Sequence, residues 1–307
     1  QFDKSILRAY DIRGIVGSTL HIKDAKILGR VFASEIRSKY KSCNIVVGYD
    51  GRISSPIIEK ALVEGLTDCG ANVTRIGLGP SPMLYFASNI LNADGAIMIT
   101  GSHNPPNYNG FKILDKNLSF FGQDILKLDK RARLSQWNMV EGRFNNYAME
   151  ETYLKQLVDA IEIRKNNISV AWDCGNGSTG RIISKLIKFL PGKNILINEE
   201  IDGTFPSHHP DPTVTENLKQ LSNLVKKNKL DIGIAFDGDG DRLGVVDKEG
   251  NMIFGDKLLY IFVKSLLKSY PKSTIIADVK ASDVLFDKIE MLGGIPLMWK
   301  TGHSLIK

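Results

Sequence analysis

Short apolar runs alternate along this chain with longer segments in which apolar residues recur every three or four positions, the signatures of strands and helices in turn. The first clear cycle opens with the run Asn44–Tyr49 and a loop from Asp50. A helix is predicted next. Ser55 is its cap, Pro56 suits a first helical position, Ile57, Ile58, Ala61, Leu62 and Leu66 form an apolar face, and Gly70 ends it. A strand over 72–77, a proline-rich turn, a helix near 83–91 and a strand over 95–100 complete the cycle, which empties into the loop 101–109.

The cycle recurs. A strand over 168–172, a loop from Asp173, a helix to about Leu190 and a strand over 194–198 form its first half. A loop rich in His and Pro, a helix over 215–228 and a strand over 231–236 follow, and this copy empties into 237–242. A third copy supplies a strand over 274–277, a loop from Asp278, a helix over 282–292, the strand Ile295–Trp299 and Ser304 as a further cap. Its delivering loop would fall beyond Lys307, so its apolar strands are expected to lack a third neighbour. The fold expected is α/β, made of repeated three-layer α/β/α units, two complete and a third partial. The boundaries read as 1–146, 147–250 and 251–307.

Composition narrows the partners. The 307 residues are 43% hydrophobic and 24% charged, ordinary for a globular protein. The formal charge of +6 is spread along the chain, and its densest run, Lys226-Lys227-Asn228-Lys229, lies at a predicted helix end, where cations suit the dipole. Nucleic acid is therefore not an expected partner. Cys43, Cys69 and Cys174 are odd in number and lack C-x-x-C spacing, which argues against a disulfide framework or a zinc site. No apolar run has the length of a membrane span, and no leader is legible. A monomer in the cytoplasm is expected.

Three loops carry candidate chemistry. In Thr100-Gly101-Ser102-His103-Asn104-Pro105-Pro106 a hydroxyl sits in a turn held by Gly and Pro after a strand, with Lys112 close behind. The competing reading is an ordinary polar turn. In Asp237-Gly238-Asp239-Gly240-Asp241-Arg242 three carboxylates alternate with Gly and can fold around one hard cation. An EF-hand is excluded because its sixth position needs Gly and its twelfth Glu, where this chain has Arg242 and Lys248. Gly175-Asn176-Gly177-Ser178-Thr179-Gly180 has dinucleotide-type spacing, with Glu199 and Glu200 downstream. Asp173, however, places a carboxylate where a pyrophosphate would sit, so a tightly packed turn is the better reading. His208 and His209 resemble a metal pair, but adjacent residues point apart, and a structural loop is expected.

Arg8–Gly14, Thr100–Lys112 (TGSHNPPNYNGFK), Asp173–Gly177 (DCGNG), Asp237–Arg242 (DGDGDR) and Lys300–Ser304 (KTGHS) together resemble the bacterial phosphomannomutase/phosphoglucomutase branch of the α-D-phosphohexomutases. The resemblance runs the length of the chain. It implies that Ser102 is phosphorylated and that Asp237, Asp239 and Asp241 hold Mg²⁺ together with that phosphoserine. It also implies that Arg13, Lys112 and Arg242 surround the transferring group, that His103, within the serine-loop motif, is a catalytic-site residue, and that Tyr10, Lys280 and His303 line the sugar site. The implied reaction interconverts hexose 1-phosphate and hexose 6-phosphate of mannose or glucose, with hexose 1,6-bisphosphate as intermediate and activator. The family has four domains, and its sugar-recognition loop and fourth, phosphate-binding domain have no counterpart before Lys307. Little complete mutase turnover is therefore expected. His303 and Lys112 are the candidate bases. A Mg²⁺-dependent phosphatase and a non-catalytic sugar-phosphate binder are the competing classes.

Overall fold

The computed structural model describes residues 2–161 and 168–306. The chain runs from β1 (Ile12–Ile15) through α1 (Ile22–Lys39), β2 (Asn44–Tyr49), α2 (Ser55–Asp68), β3 (Asn72–Leu78), α3 (Ser81–Ile90) and β4 (Gly95–Ile99). Next come β5 (Tyr108–Asp115), the short β6 (Leu118–Ser119), α4 (Gln123–Arg133) and β7 (Arg143–Asn146). The second set is α5 (Met149–Asp159), β8 (Val170–Asp173), α6 (Gly180–Leu186), β9 (Asn194–Ile197), α7 (Lys219–Asn228), β10 (Ile232–Phe236), β11 (Leu243–Asp247) and β12 (Met252–Ile253). The third is α8 (Gly255–Ser269), β13 (Thr274–Asp278), α9 (Asp283–Met291), β14 (Ile295–Trp299) and α10 (His303–Ile306).

Among the described residues the strands form three sheets, and the repeat is visible in their order. The first reads β1-β5-β4-β2-β3-β7 and the second β12-β11-β10-β8-β9. In each, the first strand of the cycle (β2, β8) lies in parallel between the second (β3, β9) and the third (β4, β10). In each, a hairpin strand (β5, β11) then pairs antiparallel with the third. The parallel pair β13–β14 reproduces the β2–β3 step alone. Ile295, Leu297, Met298 and Trp299 of β14 remain exposed.

Local signals act with small displacements. Ser55 is the first residue of α2 rather than its cap, because its hydroxyl is drawn to Asp50 Oδ1 at 2.6 Å; Ser54 occupies the cap position. The helix expected over 215–228 is a 3₁₀ turn, Thr215–Leu218, followed by α7. Ser304 lies inside α10 instead of capping it, and its hydroxyl donates to the Tyr10 carbonyl at 3.4 Å.

One face of the first sheet packs against α1, α2 and α4, with Phe32, Leu62, Leu66, Phe111 and Leu128 buried between. On the other face Val46, Met83, Leu84, Met98 and Leu114 form a second cluster that is closed by Met149 of α5 and Ile182 of α6. The first sheet thus shares apolar packing with α5 and α6 of the second unit.

Candidate active site at the strand ends

Parallel α/β sheets present their functional loops at the carboxyl ends of the strands. Here β4 delivers Ser102 and β10 delivers Asp237, and the joined units bring the two together. Ser102 Oγ donates to Asp237 Oδ2 at 3.1 Å, and His103 Nδ1 lies 3.4 Å from Ser102 Oγ. Ser102 is buried and takes a left-handed backbone, φ 49°. That conformation costs a residue with a Cβ about 1–2 kcal/mol, so the surroundings must hold it.

Period-two alternation supplies the cations. On β5, Phe111 and Ile113 enter the first core while Lys112 points to the opposite face. Its ammonium reaches Asp239 Oδ2 at 2.5 Å and Asp241 Oδ2 at 2.6 Å. Arg13 on β1 donates to the Gly101 carbonyl at 2.7 Å and to Asn104 Oδ1 at 2.6 Å, and pairs with Asp11. The Arg242 amide donates to Asp237 Oδ1 at 3.0 Å.

The carboxylates are arranged for a cation. One carboxylate oxygen from each of Asp237, Asp239 and Asp241 lies within 4.8 Å of the other two. Asp239 Oδ1 is buried with no hydrogen-bond partner, although Oδ2 of the same residue takes Lys112 and Ser81. A buried acceptor left unpaired is costly, and a hard divalent ion with oxygen ligands satisfies it. The triad could therefore hold a metal ion. Burial and the Asp239 and Asp241 charges push Asp237 well above the usual carboxylate range. Asp239, though buried, is held below that range by Lys112 and Ser81. Burial opposes the charge on Lys112, but Asp239 and Asp241 outweigh it and raise its pKa, so Lys112 stays protonated. Burial and Arg242 lower His103, which leaves a neutral imidazole near pH 7.

A cavity of about 560 Å³ opens over these groups, and Arg8, Tyr10, Arg13, Ser102, Lys112 and Arg242 are among its walls. Thr301 and Gly302 close one side, where Tyr10 donates its hydroxyl to the Thr301 carbonyl at 2.7 Å. Lys280 is not in this wall. It lines a neighbouring cleft with Thr213 and Asp256, and its backbone amide donates to Asp278 Oδ1 at 2.9 Å at the end of β13. Asp278 borders both spaces. The side chain of His303 lies outside the described residues.

The Gly175–Gly180 turn is occupied by protein backbone. Ser178 donates both its amide and its hydroxyl to the Gly238 carbonyl at 3.0 Å, so this turn props up the Asp loop. Gly238 is required by close approach, since a Cβ there would sit 2.5 Å from the Ser102 carbonyl oxygen. His208 proves to be paired. Its Nε2 meets Asp173 Oδ2 at 2.9 Å and its Nδ1 meets the His209 carbonyl at 3.0 Å. Two acceptors require two ring protons, and although burial disfavours charge, Asp173 raises the His208 pKa. Asp50, Arg52, Asp173 and His208 were not singled out as site residues from the sequence. The available signal was the Asp that ends the first strand of every repeat: Asp50, Asp173 and Asp278.

Comparison with known proteins agrees with this geometry. Models of phosphoglucomutase/phosphomannomutase alpha/beta/alpha domains I, II and III match residues 4–131, 151–250 and 254–307. A phosphomannomutase/phosphoglucomutase of Pseudomonas putida is 44% identical over 99% of this chain and 65% of its own length. A phosphoglucomutase of Neisseria meningitidis is 40% identical over 99% of this chain and 66% of its own length. A crystal structure of a phosphoglucomutase/phosphomannomutase family protein from Burkholderia thailandensis superposes with a TM-score of 0.95 at 39% identity, covering 100% of this chain and 68% of that one. The chain thus spans about 65% of the length of the Pseudomonas relative. With a serine loop and an acidic loop meeting across two repeated α/β/α units, and with matching models over nearly its whole length, this chain belongs to the phosphoglucomutase/phosphomannomutase family.

Proposed function

We propose that this chain carries the phosphoryl-transfer centre of a phosphohexomutase that interconverts hexose 1-phosphate and hexose 6-phosphate, with mannose or glucose as the sugar. The observation that carries this reading is the meeting of Ser102 Oγ with Asp237 Oδ2 at 3.1 Å across two units, in a cavity with cationic walls. Phosphoryl transfer is catalysed mostly by positioning and by offsetting charge, and this site is built for both.

In the proposed cycle phosphorylated Ser102 is the donor. Its Oγ–P bond breaks as a new P–O bond forms to a sugar hydroxyl, and that hydroxyl's proton passes to a base. The hexose 1,6-bisphosphate then turns over in the site and returns its other phosphate to Ser102. Lys112 serves as a fixed cation; locked between Asp239 and Asp241, it is not the base that the sequence left open. His103, beside Ser102 Oγ, is the group able to exchange a proton there. Arg13 holds the serine loop, and Arg242 faces the cavity. Mg²⁺ would be held by Asp237, Asp239, Asp241 and phosphorylated Ser102, and when bound it supplies charge neutralisation at the phosphoryl oxygens. A cytoplasmic setting suits Cys43, Cys69 and Cys174, which are buried free thiols.

Intact-protein mass measurement tests the reading. After incubation with glucose 1,6-bisphosphate and Mg²⁺ the chain gains one phosphate, and Ser102→Ala gains none. Uptake that persists in Ser102→Ala, or no uptake by the wild type, overturns it.

A further inference from the structure

One buried ion pair outside the cavity is devoted to the shape of the serine loop. Asp50 and Arg52 follow β2, each 1% exposed, and neither is among the residues lining the cavity over Ser102. Every N–H of the guanidinium has an acceptor. Nε meets Asp50 Oδ2 at 3.2 Å. One terminal nitrogen donates to the carbonyls of Pro105 at 2.5 Å and Tyr108 at 3.0 Å. The other donates to the carbonyls of Ser102 at 2.9 Å and Asn104 at 2.7 Å. Four of the five acceptors are therefore backbone carbonyls of the segment that carries Ser102.

Asp50 works on the same loop from its other side. Its Oδ2 accepts from Thr100 Oγ1 at 2.8 Å and from the Gly101 amide at 3.1 Å. Thr100 Oγ1 in turn accepts from the Ser102 amide at 2.7 Å. Gly101 leaves room for this contact, since a Cβ there would lie 2.2 Å from the guanidinium carbon. Phe205, from the second unit, covers Arg52 with its ring centroid 5.1 Å away.

A buried ion pair is weak evidence for stability, because desolvation offsets most of its attraction. A planar fork with five fixed donors is instead suited to holding several acceptors in one arrangement, which a lysine cannot do. Here the arrangement held is the left-handed Ser102 backbone that points Oγ at Asp237. We infer that Asp50 and Arg52 are positioning residues for phosphoryl transfer at Ser102, clamping its loop from behind without touching the substrate. The inference rests on the phosphoserine reading above.

The test is the time course of Ser102 phosphorylation in the full chain, by intact mass, across a range of glucose 1,6-bisphosphate concentrations. Arg52→Lys offers three donors to five acceptors, and the limiting rate constant is expected to fall about 10²-fold, as for a reacting group displaced by about 1 Å. Thr100→Val is nearly isosteric and removes one link, so a fall of about tenfold is expected. In both variants the half-saturating concentration should stay within about twofold of wild type, since no contact with substrate is lost. Limiting rates equal to wild type, even with a lowered Tm, overturn the inference, as does a change confined to half-saturation. If Arg52→Lys does not fold, Thr100→Val decides by the same criteria. If the wild type takes up no phosphate, the phosphoserine reading falls and this inference with it; normal rates in both variants sink this inference alone.

Discussion

Replacing Lys112 by Met tests the electrostatics of the site most directly. Met has nearly the length of Lys but no charge, so the packing on β5 is kept while Asp239 and Asp241 lose the ammonium at 2.5 and 2.6 Å. Asp239 is fully buried and Asp237 is already strained by its neighbours' charge, so the lost cation cannot be replaced by water. Removing one partner of a buried pair costs about 3–5 kcal/mol. At roughly 2–4 °C per kcal/mol for units of this size, the Tm in chelator should drop by about 10 °C. The ammonium and a divalent ion would share the charge of the same carboxylates, Lys112 through Oδ2 of Asp239 and the ion through its free Oδ1, so each weakens the other's attraction. Mg²⁺ at a hundred times its Kd stabilises a protein by about 2.7 kcal/mol, and its affinity should be higher once the ammonium is gone. Scanning calorimetry of both proteins, with EDTA and with Mg²⁺, should therefore show a larger metal-induced rise in the variant. A Tm loss below about 2 °C in chelator, or a metal-induced rise no larger than in wild type, would refute the reasoning.

Two further outcomes follow from the loops behind the site. The folded pKa of His208 is raised, so its pairing with Asp173 contributes in full below the unfolded value of about 6.5 and is lost as pH rises through the folded value. His208→Gln should flatten the stability profile across that window in urea titrations; an unchanged profile counts against the imidazolium. Gly238→Ala places a Cβ 2.5 Å from the Ser102 carbonyl, so a loss of about 1–3 kcal/mol and weaker Mg²⁺ binding by calorimetry are expected. Wild-type stability in that variant would mean that the two loops are not in contact.

Contiguous features were legible in the sequence. Ser102 and the three Asp residues sit in short Gly-rich loops, and apolar runs ending in Asp50, Asp173 and Asp278 revealed the repeat. Hairpin strand β5 was harder to see, because Asn109, Gly110 and Lys112 break its apolar pattern where one face serves the site. Arg52 carries no sequence signal of its own. A charged residue in a loop is ordinarily solvated, and only folding places five acceptors around it. Ser55 was misplaced as a cap for a related reason: its hydroxyl had a better acceptor in Asp50 than its own helix could offer. Lys280 belongs to the third unit, and pattern alone cannot tell which of two adjoining spaces a side chain enters.

The apolar cluster shared by α3, Met149, Ile182 and one face of the first sheet has a bearing on how the surroundings of Ser102 come into being. As the polypeptide is made, Ser102 emerges long before the residues that complete its surroundings. Until α5 and α6 have formed, that face of its sheet is covered by α3 alone, and until Phe205 and Gly238 arrive, Arg52 and the Ser102 carbonyl lack their neighbours. The completed surroundings of Ser102 are thus a late product of assembly. Ser102 meets Asp237 only in a chain whose second unit has docked, so faults in that docking alter the setting of the serine without touching it.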